Sequence, residues 1–166
     1  MTNAAAFSGG YVANLGPSED GYLMPAVDEE SRFFWEGTLA GELRIQVCTN
    51  CGRLRHPPRP MCPSCRSTGR AWTQVSGKGT IWSFVVPHPP LLQPYSDLAP
   101  YNVIVVTLDE DPNLRLVGNL VAGPDGELND VDPTSIRIGE PVEVTFKRFK
   151  RSDGSEEALP LWTRAH

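Results

Sequence analysis

The chain holds four cysteines, and they stand as two Cys-x-x-Cys pairs, Cys48-Thr49-Asn50-Cys51 and Cys62-Pro63-Ser64-Cys65, with ten residues between the pairs. A tetrahedral metal takes four thiolates at about 2.3 Å, and two tight turns that each present two sulfurs supply that geometry. The spacing therefore predicts a metal-clamped ribbon with Cys48, Cys51, Cys62 and Cys65 as ligands and zinc as the expected metal. Four thiolates close the shell, so such a metal is a structural staple with no open position for Lewis-acid chemistry. His56, in the loop between the pairs, is then not needed as a ligand. A redox reading of either pair needs a strand-helix-strand setting that the flanking residues do not show. An iron four-thiolate electron carrier is the remaining metal alternative, and a spacing of ten is short for it.

The metal reading needs reduced thiols. Residues 1 to 10 carry no basic residue and no apolar run suited to a signal peptide, and no stretch approaches the ~18 apolar residues of a membrane span. The expected location is the cytoplasm. With 15 glycines and 16 prolines, the 166 residues favour turns and short strands over helix bundles.

Charge is distributed unevenly. The net charge is -5, yet no acidic residue lies between Leu43 and Ser96, where Arg44, Arg53, Arg55, Arg59, Arg66, Arg70 and Lys78 fall. A divalent metal held by four thiolates contributes two negative charges and leaves roughly five positive ones on that segment. The island either solvates a small ribbon or docks a compact polyanion such as a nucleotide diphosphate.

Along the chain, residues 1–27 show no period and read as a flexible or partner-dependent extension, with Tyr11 and Tyr22 as isolated aromatics. Residues 28–43 predict a helix, with Asp28 as N-cap and Gly41 as its end. Its adjacent Phe33, Phe34 and Trp35 cannot share one face, so either the helix is buried on two sides or one side meets another protein. Residues 44–70 form the ribbon, entered by a strand over 43–47. Residues 71–166 read as a five-stranded OB-type barrel, giving a mainly β protein, with a generic β-sandwich as the competing architecture. Its first strand is expected to run, bent at Gly77 and Gly79, from Ala71 to Val86. The others are expected at 101–108, 114–121, 141–149 and 159–163, and a proline-rich loop with Leu91, Leu92 and Tyr95 forms a lip.

An ordered series of motifs carries a family likeness: Phe34-Trp35-Glu36-Gly37, Leu43 to Cys48, Cys51-Gly52, Pro57-Pro58-Arg59-Pro60, Cys62-Pro63-Ser64-Cys65, Gly77 to Ile81, Ala99-Pro100-Tyr101 and Ile138 to Val142. Together they resemble the OB-fold zinc-ribbon family of acyl-CoA metabolism, catalogued as domain of unknown function thirty-five. The resemblance covers residues 28 to 166. It implies a helical hairpin, a rubredoxin-like zinc ribbon and an OB barrel, in an accessory partner of thiolase-like enzymes, steroid side-chain aldolases or MaoC-like hydratases. Such partners bridge subunits and help hold CoA. The chain departs from the pattern in offering no convincing second helix before Asp28.

Under that resemblance, Arg53, Arg55, Arg59 and Lys78 are the candidate CoA contacts, since arginine binds phosphate through charge-assisted forks. Replacing Arg55 and Arg59 together is expected to weaken CoA binding with little effect on stability. Phe33, Phe34, Trp35, Leu91, Leu92 and Tyr95 are the candidate apolar anchors against a partner enzyme. A single-stranded nucleic-acid module is the alternative, opposed by the acidic net charge and by strands without stacking aromatics after Tyr101. An independent enzyme is disfavoured because the ribbon consumes every cysteine and no motif pairs a histidine with a serine or carboxylate.

Overall fold

A computed structural model describes residue 18 and residues 22–151 and 153–165. Most of the expected 1–27 extension, Tyr11 included, lies outside the described residues. Tyr22 and Met24 are described, and both are buried in a small core with Val121, Leu128, Phe149 and Leu161.

Helix α1 spans Arg32–Leu39. Asp28 does not cap it directly. The Asp28 carboxylate instead accepts from the Ser31 backbone N–H at 2.7 Å while the Asp28 N–H donates to the Ser31 hydroxyl at 3.1 Å. This reciprocal pair fixes a turn one step ahead of the helix. Gly41 does end it: its φ of 75° is the left-handed conformation, and the Glu42 N–H reaches Gly37 O at 2.8 Å while the Gly41 N–H reaches Thr38 O at 3.1 Å. Those two bonds form a Schellman closure. Phe34 faces inward at 4 % exposure and stacks edge-on against Trp35, with ring centroids 4.9 Å apart.

The chain then enters a three-stranded sheet of order β2-β1-β3, from β1 (Arg44–Cys48), β2 (Leu54–Arg55) and β3 (Arg70–Gln74). All five residues of β1 pair antiparallel with β3, from Arg44 opposite Gln74 to Cys48 opposite Arg70. The expectation of a single bent strand from Ala71 to Val86 is thereby corrected. β3 belongs to the ribbon, and β4 (Lys78–Val85) opens the barrel. Between them Gly77, at φ 74°, lies so close to the Val144 side chain that a Cβ would collide with it. Both the conformation and the contact require glycine there.

The second sheet has order β6-β5-β4-β7-β8, with β5 Val103–Leu108, β6 Arg115–Gly118, β7 Pro141–Lys150 and β8 Glu156–Arg164. β5 alternates strictly, with Ile104, Val106 and Leu108 inside, as a half-buried strand must. The sheet curls until its two edges meet at Trp162, which is fully buried. The Trp162 backbone N–H donates to Asn119 O at 2.9 Å, and Trp162 O accepts from the Val121 N–H at 2.8 Å. Asn102, also fully buried, holds the seam through Leu120: its Nδ2 donates to Leu120 O at 2.8 Å and its Oδ1 accepts from the Leu120 N–H at 2.6 Å. This is the mainly β, OB-type barrel expected from the strand pattern, and the sandwich alternative is set aside.

The proline-rich loop carries a short helix, α2 (Tyr95–Leu98). Tyr95 packs between Tyr22 and Tyr101, with centroid separations of 6.1 and 6.2 Å.

Candidate metal centre and adjoining basic cleft

The two knuckles repeat one backbone design. Cys48 O accepts from the Gly52 N–H at 2.9 Å and the Cys48 N–H donates to Arg53 O at 3.0 Å; Cys62 O accepts from the Arg66 N–H at 2.9 Å and the Cys62 N–H donates to Ser67 O at 2.9 Å. The residue after each second cysteine is left-handed, Gly52 at φ 72° and Arg66 at φ 60°. Arginine tolerates that conformation poorly, so the second knuckle carries a strain that the first avoids.

This design brings the four sulfurs within 4.8 Å of one another, with Cys48 to Cys65 at 3.5 Å and Cys51 to Cys62 at 3.7 Å. Tetrahedral bonds of about 2.3 Å place sulfurs about 3.8 Å apart, so the set is sized for a four-thiolate metal. Backbone N–H groups aim at the sulfurs and favour thiolates. The N–H of Cys51 holds the Cys48 thiol below its ordinary range, and those of Cys65 and Ser64 bring Cys62 down to about 6, whereas at Cys51 the N–H of Arg53 is outweighed by the neighbouring sulfurs and burial, which push that thiol up to about 11. His56 is not part of this group. It stacks on Phe34 with ring centroids 4.9 Å apart, and burial pulls its pKa down to about 4, so it is neutral.

Beside the centre lies a cleft of about 320 Å³ between the 53–63 loop and the turn at 111–114. Arg53, Arg55 and Arg59 all line it, as does Asp111. Lys78 is exposed on β4, where it pairs in register with Glu143, and it is outside the cleft lining. Three of the four candidate CoA contacts are thus brought together and the fourth is not. Arg53 and Arg59 are exposed, whereas Arg55 is only 5 % exposed. The expectation that replacing Arg55 leaves stability untouched is thereby corrected, because a buried guanidinium acts on stability in two opposed ways, through the packing of its stem and through the desolvation of its charge.

Gln46 is a residue the sequence pattern missed. Alternation along 43–47 places it outward with Arg44, yet it is fully buried opposite Arg55, and its Oε1 accepts from the Arg59 N–H at 3.0 Å. No local signal marks it, since its burial comes from the loop that folds back over β1.

The candidate partner anchors divide. Phe33 (40 % exposed) and Leu92 (72 % exposed) face outward, Phe33 leaning on Trp72 at 5.8 Å. Phe34 lies in the core and so is not free to meet another protein, which corrects its place among the anchors. Trp35 packs against that core, Tyr95 packs within its tyrosine group, and Leu91 is half-buried.

The ChsH2 rubredoxin-like zinc ribbon domain matches residues 35–69, and the ChsH2 C-terminal OB-fold domain matches residues 72–147. The chain belongs to the ChsH2-type DUF35 family. A DUF35 domain-containing scaffold protein of Methanothermobacter thermautotrophicus is 36% identical over 113 residues, covering 68% of this chain and 76% of that protein. The 3-oxo-4,17-pregnadiene-20-carboxyl-CoA hydratase alpha subunit of Mycobacterium tuberculosis is 35% identical over 130 residues, covering 78% of this chain and 38% of that protein. Among solved structures, a chain of the Ltp2-ChsH2(DUF35) aldolase superposes with a TM-score of 0.70 at 32% identity, covering 86% of this chain and 100% of that one. Against the hydratase alpha subunits this DUF35 chain spans about two-fifths of their length, 38% and 41% in the two compared. No helix among its described residues is long and apolar enough to cross a membrane.

Proposed function

We propose that this DUF35 chain is the accessory subunit of a cytoplasmic acyl-CoA-processing complex. It docks on a thiolase-like enzyme, with a steroid side-chain aldolase as the preferred partner, and helps hold the CoA thioester without carrying out the reaction alone. The observation that carries this reading is the match, at 32% identity over 86% of this chain and all of the other, to a chain of the Ltp2-ChsH2(DUF35) aldolase. The similarity to hydratase alpha subunits favours an acyl-CoA hydratase, MaoC-like under the family resemblance, as the second candidate partner.

The geometry supports a division of labour. The four-thiolate centre is a staple for zinc, which fixes the ribbon loops because metal binding and folding are coupled. Arg53 and Arg59 offer the diphosphate of CoA two exposed guanidinium groups on one cleft, with Lys78 as a more distant positive charge. Exposed Phe33 and Leu92, with Leu91 beside it, offer apolar contacts to the partner. A nucleic-acid role finds little support. β5 and β6 read Val-Ile-Val-Val-Thr-Leu and Arg-Leu-Val-Gly and offer bases no ring to stack on, and the exposed Trp82 of β4 has the Arg115 guanidinium over its ring at 4.3 Å.

Co-expression with thiolase-like and MaoC-like acyl-CoA enzymes of the same organism tests the reading. The expected outcome is a stable hetero-oligomer whose turnover depends on this chain, with one zinc per chain by elemental analysis. A chain that stays monodisperse and changes neither the solubility nor the turnover of either enzyme overturns the partner assignment. A red, iron-containing preparation overturns the zinc assignment.

A further inference from the structure

The cleft holds a group that its exposed arginines do not explain. Arg55 sits on the two-residue strand β2, directly opposite Gln46 of β1. Its Nε, Nη1 and Nη2 are all buried, and none meets an acceptor among the described residues. Gln46 adds to the imbalance. Its oxygen is taken by the Arg59 N–H, while its Nε2 is buried and likewise without an acceptor. The pair therefore presents only donors.

Candidate counter-charges nearby do not meet this need. Asp111 lines the same cleft, yet none of the Arg55 nitrogens meets its carboxylate, whose Oδ1 accepts from the backbone N–H and the side-chain amide of Asn113 at 2.8 and 3.2 Å. A metal-bound thiolate set supplies negative potential to the ribbon, yet the sulfurs accept no hydrogen bond from Arg55. A buried guanidinium with unmet donors is among the more destabilising arrangements a fold can retain. Its planar fork matches the two oxygens of a carboxylate or phosphate. The cleft that Arg55 helps to line, with Leu54, Pro57, Pro63 and Leu114 among its walls, is at the small end of the size range for small-molecule sites, about 300–1,000 Å³, and Gln46, fully buried, does not itself reach that lining.

We propose that Arg55 and Gln46 form an internal oxyanion socket, entered from this cleft, that takes the phosphate or carboxylate head of a small organic anion. The socket deepens the CoA-holding reading, on which the choice of a phosphoryl source rests, and assigns the grip to the buried Arg55 while the exposed Arg53 and Arg59 steer.

The test uses the isolated, metal-loaded full chain, so it is independent of any partner enzyme. Melting temperature is measured at matched ionic strength in chloride, inorganic phosphate, acetate and adenosine 3′,5′-bisphosphate, for the parent chain, Arg55→Met and Arg55→Lys. Binding at tens of Kd raises the parent by about 3 °C or more over chloride. Arg55→Met is expected to melt at or above the parent in chloride, because an uncompensated charge is gone, and to lose the anion increment. Arg55→Lys keeps the charge but loses the fork, and is expected to retain less than half of that increment; it serves as the deciding variant if Arg55→Met does not fold. An increment with the phosphates alone identifies a phosphoryl ligand, with acetate alone a carboxylate, and with both an unselective socket. No increment over chloride in the parent, or an increment that survives at Arg55→Met or in full at Arg55→Lys, overturns the proposal. Loss of the co-purified complex would leave it standing, and a complex without any anion increment would sink it alone.

Discussion

Replacing Asn102 by alanine removes the side chain that joins the entry of β5 to the residues closing the barrel beyond β6. Its amide makes two bonds to one residue, donating to Leu120 O at 2.8 Å and accepting from the Leu120 N–H at 2.6 Å. Asn102 and Leu120 are both fully buried, so water does not readily replace the lost partner. Leaving a buried donor or acceptor unmet costs about 1–3 kcal/mol for each group. With two groups affected and some relaxation of the seam, the expected loss is about 3 kcal/mol. At about 2–4 °C per kcal/mol for a chain of this size, the melting temperature should fall by roughly 6–12 °C. Urea denaturation of the metal-loaded protein measures the loss directly, and Asn119→Ala is the control. The Asn119 side chain donates to the Asn102 carbonyl and leaves the Leu120 bonds intact, so its replacement should cost about 1 kcal/mol. If Asn102→Ala stays within about 1 kcal/mol of the parent chain, the seam is not held by this amide and the reasoning fails.

Two further outcomes follow from the ribbon. Burial lowers the His56 pKa from 6.5 to about 4, so between those values the unfolded chain binds more protons and stability rises with pH. The stability advantage of the parent over His56→Phe should therefore shrink by about 1.5 kcal/mol when the pH drops from about 6.5 to about 5. Denaturation of both chains at each pH measures it, and a difference independent of pH refutes the buried neutral imidazole. Arg66→Gly gives the second knuckle the residue type of the first, Gly52, at a left-handed φ of 60°. It should stabilise the metal-loaded chain by up to about 1 kcal/mol, less than the full strain because glycine also loosens the unfolded chain. A clear loss of stability by thermal melting would show that the Arg66 side chain contributes more than its backbone costs.

How legible the protein is in its sequence varies with the range of the interactions. The four-cysteine cluster follows from four residues at short spacing, and the helix end follows from Gly41, because both depend on a few neighbouring backbone angles. The barrel strands were recognisable from alternation, which a half-buried strand enforces residue by residue. Assignment of β3 to the ribbon was not recognisable. Alternation says that 70–74 is a strand but not that its partner is β1, some twenty-five residues earlier, with Gly77 turning the chain into another sheet.

The same limit governs the cleft. The sequence by itself determined that a run of arginines without acids surrounds a thiolate centre, since charge and ligand spacing are properties of the chain. Only the tertiary structure decided that Arg53 and Arg59 are exposed while Arg55 is buried beside Gln46, and that Phe33 faces outward while Phe34 enters the core. Burial depends on which segments fold over a residue, and two neighbours of identical chemistry can meet opposite environments when the chain between them turns by a single residue.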